Sequence, residues 1–103
     1  MVEYFYPEQM PTNQYLVKLH NELVPNFHHE GGSLILIQSG ILDMSYSNYL
    51  RMCRDVYGGE LFGKNNGYPG VKFKKKENAL ELCKLLNPVM DMYVKYRKEQ
   101  IND

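Results

Sequence analysis

Residues 45–76 read SYSNYLRMCRDVYGGELFGKNNGYPGVKFKKK, and two different periods meet inside them. Tyr46, Tyr49, Leu50, Cys53, Val56 and Tyr57 recur at helical spacing. At about 100° per residue they share a stripe roughly 120° wide. Asp43 or Ser45 can cap the start of that helix, and Gly58-Gly59 can stop it because glycine tolerates the left-handed backbone of a helix end. Beyond the glycines, Val71 and Phe73 alternate with Lys72 and Lys74, which is the period of a strand with one face in a core. Glu60-Leu61-Phe62 lies before it, separated by the turn-rich stretch from Gly63 to Gly70, so the two form an antiparallel hairpin with a long loop. An amphipathic helix running into a hairpin sets the class as α+β.

Downstream, a helix is predicted from Glu77 or Asn78, with Ala79, Leu80, Leu82, Cys83, Leu85 and Leu86 apolar around more than half the cylinder. Asn87-Pro88 is expected to end it and to cap a final helix carrying Val89, Met92, Tyr93 and Tyr96 on one face. Residues 100–103 are expected to fray. Upstream, Leu34-Ile35-Leu36-Ile37 lies between Gly32 and Gly40, and the segment from Ser33 to Gln38 reads as a central strand buried on both faces. Tyr15, Leu16, Leu19 and Leu23 recur at helical spacing after Thr12 or Asn13 as cap and before the breaker Pro25. Pro25 to Gly32 reads as a loop, and residues 1–11 as an arm or short edge strand. The predicted order is α-β-α-β-β-α-α over one domain, residues 1–103, with an antiparallel hairpin and one buried strand packed against helices.

The size suits that architecture. A chain of 103 residues with 44% hydrophobic and 13% aromatic side chains can bury one core without a covalent staple. Cys53 and Cys83 lack a Cys-x-x-Cys spacing, and each falls on a predicted apolar helix stripe, so both read as core thiols. The longest apolar run is four residues, far short of the roughly 18–20 that cross a bilayer, and no membrane partner is expected. The absence of an early basic and apolar leader pattern makes the cytoplasm the expected compartment.

The formal net charge of zero hides an asymmetry. Residues 1–50 carry Lys18 as their only base against five carboxylates, whereas residues 51–103 carry 11 bases and 7 acids. A surface divided in this way steers an anionic partner even when the total charge is nil.

Chemistry-bearing motifs are sparse. His28-His29-Glu30, with His20 upstream, is the densest group of candidate metal ligands. Adjacent histidines point in different directions and neither cysteine is near in sequence, so a solvated loop is expected and no metal or other cofactor is assigned. Gly63-Lys64-Asn65-Asn66-Gly67 lacks the Ser/Thr and the helix of a phosphate loop, and Ser39-Gly40 is no nucleophile elbow. No pair of carboxylates is arranged to separate its pKa values. A non-enzymatic binding protein is therefore expected.

Its first predicted partner is nucleic acid. The helix face opposite the apolar stripe carries Asn48 and Arg51 with Arg54 on its flank, and the hairpin supplies Lys64, Lys72, Lys74, Lys75 and Lys76. Arginine and asparagine suit phosphate and base-edge contacts, and lysines neutralise phosphates. Helix followed by hairpin resembles the element order of a winged helix, in which a recognition helix enters the major groove and the wing touches the backbone. One departure stands against it: a helix is needed before the recognition helix, and only Gly40 to Met44 separate that helix from the expected strand. The second predicted partner is a protein, or a second copy of the chain in a homodimer, with the molecule acting as an adaptor or inhibitor. Nine tyrosines and six methionines motivate it, since both residue types are enriched at interfaces. Tyr4, Phe5, Tyr6 and Tyr68, which no helical stripe explains, are the residues expected to present that surface.

Overall fold

The computed structural model describes residues 2–20, 22–24, 27, 30–62 and 70–101. Its N-terminal strands, β1 (Phe5–Gln9) and β2 (Tyr15–Leu19), form an antiparallel hairpin in register from Phe5 opposite Leu19 to Gln9 opposite Tyr15. The turn closes through the Met10 N–H donating to the Gln14 carbonyl at 2.8 Å and the Asn13 N–H donating to that of Met10 at 3.0 Å. Asn13 takes φ 61°, a left-handed conformation that asparagine accepts more readily than other side-chain-bearing residues. The residues expected to cap a helix therefore make a hairpin turn. Helical spacing of Tyr15, Leu16 and Leu19 was outweighed because pairing on both edges of β2 satisfies its backbone and half-buries its side chains.

After β2 come the helices α1 (Gly32–Gln38) and α2 (Tyr46–Tyr57), the strands β3 (Glu60–Phe62) and β4 (Gly70–Phe73), and the long helix α3 (Lys76–Ile101). The described elements thus comprise three helices and one four-stranded antiparallel sheet of order β1-β2-β4-β3. The class is α+β, but the element order is β-β-α-α-β-β-α, not α-β-α-β-β-α-α. The segment expected as a buried strand is α1: Leu36 is fully buried while Leu34 and Ile37 are 57% and 40% exposed, so only one side meets the core. A short continuous apolar run has no period with which to tell strand from helix. Gly31, at φ 71°, sets the chain's direction into α1, and its successor's N–H donates to the Phe27 carbonyl at 2.8 Å.

The two helices expected at the C-terminus are one. Proline at position 88 removes a single backbone donor, and α3 continues through it because the stripe of Ala79, Leu82, Leu86, Met90 and Tyr93 stays buried along both halves. At about 1.5 Å per residue this helix accounts for most of the 46 Å long axis. It packs across β1, β2 and β4 on the sheet face that buries Phe5, Val17, Val71 and Phe73. The opposite sheet face carries Glu8 and Lys18, paired at 3.5 Å, and Glu60 and Lys72, paired at 3.8 Å. The expected arm at 1–11 contains an edge strand, and its Tyr4 and Phe5, expected on a docking surface, are 6% and 4% exposed core residues instead. Asn87 explains why. Its Oδ1 accepts the N–H groups of Tyr4 and Phe5 at 3.0 and 2.9 Å and draws both aromatics against α3.

Candidate nucleic-acid interface

The best-read element of the sequence supplies one wall. In α2, Tyr46, Leu50 and Cys53 face the core, Ser45 Oγ accepts the Asn48 N–H at 3.2 Å as the N-cap, and Gly58 ends the helix at φ 71°. The amide of Tyr46 also donates to Ser33 Oγ at 3.0 Å, which docks the start of α2 on α1. The exposed side carries Asn48, Arg51, Met52 and Asp55. Arg51 donates to the Asn48 side-chain oxygen at 3.1 Å, and Arg54 is paired with Asp55 at 2.8 Å. This face is therefore neutralised toward its C-terminal end by the Arg54–Asp55 pair and cationic at its centre, where Arg51 meets the neutral Asn48.

The chain reverses at once after α2. Gly59 lies so close to the inner side of β4 that a Cβ there would sit 2.6 Å from both Phe73 and Val71, so any side chain would force those neighbours to shift. This contact brings the last turn of α2 against the ribbon. By strand alternation, Val71 and Phe73 are buried while Lys72 projects to the other side, and Lys74 and Lys75 follow exposed. Tyr57 and Gly58 from α2 line a groove of about 300 Å³ with Lys72, Lys74 and Lys75. Glu60, Gln14 and Asn78 complete its wall. Lys76 opens α3, exposed beside it. Lys64 and Tyr68 lie outside the described residues. Tyr6 is half-buried and stacked on His20 with ring centroids 4.1 Å apart.

Three of the five carboxylates of the acidic half are engaged elsewhere: Glu8 with Lys18, Glu22 with His20 at 2.9 Å, and Glu30 with Arg97 at 3.0 Å. Among the described residues no ion pair engages Arg51, Lys74, Lys75 or Lys76. Lys72 is paired with Glu60 across the β3–β4 ladder, at the long end of ion-pair distances.

The remaining reactive groups are held in their neutral forms. Burial pushes the Cys83 thiol up to about 11. Burial also raises that of Cys53, against the opposing hydrogen bond from Tyr49. Both cysteines are free and buried. Burial likewise raises Tyr46, and raises Tyr49 with help from Cys53. Of the histidine group, His20 bonds Glu22, and His28 and His29 lie outside the described residues. Among the described residues no three His, Cys, Asp or Glu side chains gather so as to hold a metal ion, and no helix is long and apolar enough to cross a membrane.

Sequence reasoning missed two contributors to this region. Gln14 reaches the groove because β2 pairs with β4, a partnership hidden by the helical reading of residues 12–23. Asn78 reaches it from the first turn of α3. Comparison with protein-family models, with curated proteins and with solved structures finds no match to this chain.

Proposed function

We propose that this protein is a non-enzymatic binding module that takes nucleic acid along the exposed side of α2 and the lysine-bearing ribbon beside it. One observation carries the reading: Tyr57 and Gly58 at the end of α2 line a single groove with Lys72, Lys74 and Lys75, so the helix that bears Asn48 and Arg51 ends beside the lysine-bearing ribbon. Asn48 and Arg51 supply groups suited to base edges, and Lys74, Lys75 and Lys76 supply phosphate contacts. The element order supports it further. Helix α1 precedes α2, and β2, β4 and β3 lie side by side, an arrangement that resembles a winged helix in both order and pairing. That resemblance is an analogy of fold, and the weight rests on the side chains.

Fluorescence anisotropy with a labelled duplex tests the proposal. With four to five phosphate contacts, log K falls against log[salt] with a slope of roughly −4. Arg51→Glu combined with Lys76→Glu reverses two exposed charges and lowers affinity by about tenfold or more while the thermal unfolding curve is retained. Full duplex affinity in that variant refutes the reading. A second reading, docking on a protein as adaptor or inhibitor, draws support from the exposed Met52 and Val56 of α2, the latter 70% exposed. Its mark is salt-insensitive association, including self-association in sedimentation.

A further inference from the structure

We infer that the groove between the end of α2 and the start of α3 is a pocket for the dianionic head of a phosphate monoester. The inference goes beyond duplex binding and does not depend on it. Three lysines share one concave wall: Lys72 projects from β4 on the side away from Val71 and Phe73, and Lys74 and Lys75 follow in the bend between β4 and α3. Among the described residues Glu60, opposite Lys72 in the ladder, is the one carboxylate in the wall. The described lining thus carries a surplus of two positive charges. A phosphate monoester near pH 7 carries about −1.5 to −2, which matches that surplus, whereas the single charge of a diester leaves half of it unmet.

The uncharged lining fits the same guest. Gln14, Asn78 and Tyr57, whose side chains carry hydrogen-bond donors, also line the wall. Lys72, with its side chain 21% exposed, is held by the sheet, so less side-chain freedom is lost on binding than at a freely solvated lysine. The volume, about 300 Å³, lies at the small end of ligand pockets and suits a phosphoryl group with part of its ester. Convergent like charges in a concavity focus the field toward an incoming anion.

The test is an amide-detected NMR titration of the whole chain at fixed ionic strength, with inorganic phosphate, 5′-AMP, dimethyl phosphate and adenosine in turn. The expected result is a saturable shift of the amides of Gln14, Gly58, Lys74, Lys75 and Asn78 with phosphate and with 5′-AMP. Dimethyl phosphate binds about tenfold more weakly, and adenosine leaves these amides unmoved. Lys74→Ala with Lys75→Ala, both at exposed positions, weakens phosphate binding by roughly tenfold or more, and Lys98→Ala, in the last turn of α3, leaves it unchanged. Shifts that track salt alone, equal binding of the diester, or full phosphate affinity in the lysine variant overturn the pocket.

Two further arms assign the source of the group. A 5′-phosphorylated single strand that binds more tightly than its 5′-hydroxyl counterpart assigns the pocket to a strand end. Equal binding of the two assigns it to a free phosphomonoester. Duplex binding without phosphate saturation defeats this inference alone, and phosphate saturation without duplex binding defeats only the proposed function.

Discussion

Replacing Asn87 by alanine isolates the contact that ties the N-terminal strand to the long helix. Asn87 is 8% exposed, and its Oδ1 accepts two buried backbone donors, the N–H groups of Tyr4 at 3.0 Å and Phe5 at 2.9 Å. Alanine leaves both without an acceptor, and a buried donor so stranded costs about 1–3 kcal/mol. Alanine's better helix propensity returns roughly 0.5 kcal/mol, and the space vacated by the amide admits some water. The net loss is about 2–3 kcal/mol, a large fraction of the roughly 5–15 kcal/mol that holds a domain of this size. Urea unfolding followed by far-ultraviolet circular dichroism reads it directly: with a slope of about 1–3 kcal/mol per molar, the midpoint falls by roughly 1–2 M. Asn87→Asp retains an acceptor for both donors and loses less than the alanine variant. An alanine variant within about 0.5 kcal/mol of the parent would refute the claim that this side chain anchors β1.

Two other outcomes follow from packing and titration. Gly59→Ala forces a methyl group to within 2.6 Å of Phe73 and Val71, and overpacking of this kind costs about 1–3 kcal/mol; thermal melting is expected to drop by roughly 5–15 °C, and an unchanged melt would show that α2 and β4 do not meet there. Burial raises the Cys83 thiol from 9.0 to about 11, so its contribution to stability is complete below pH 9.0 and is lost as pH rises toward about 11. Maleimide labelling of this cysteine at neutral pH is expected to wait on unfolding, and prompt labelling of the native protein would contradict its burial.

The parts of the fold that could be read from residues are those where a stop signal, a cap and a period agree. Ser45 caps α2, Gly58 ends it in the left-handed region, and Leu50 and Cys53 face inward as the spacing requires. The ribbon was legible for a similar reason, since Val71 and Phe73 alternate with lysines and no competing period exists. Where two periods fit the same residues, long-range pairing decided. Tyr15 to Leu19 fits a helical stripe, yet its neighbours in space are Phe5 to Gln9 on one edge and Val71 to Phe73 on the other. Nothing local to residues 15–19 reveals either partner. The burial of Phe27 at 2% exposure was equally hidden: its ring packs edge-on against Tyr46 and Tyr93, two residues contributed by different helices.

The misread segments bear on function more than on stability. Treating 33–38 as a strand hid the helix α1 that precedes α2. Treating residues 12–23 as a helix hid the partner strand of β4 and the amide side chain it brings to the groove. Among the described residues, ion pairs form both within each half and between the two. Glu8 and Glu22 meet bases on their own hairpin, Glu30 meets Arg97 near the far end of α3, and Lys95 is drawn to Asp91 at 3.0 Å. The short run Lys74-Lys75-Lys76, at the corner where the ribbon becomes a helix, stands outside those pairs, and Lys74 and Lys75 line the groove with Tyr57 of α2 and Gln14 just before β2. A polyanion approaching that corner meets three lysines that no described carboxylate pairs, beside the Glu60–Lys72 and Asp55–Arg54 pairs.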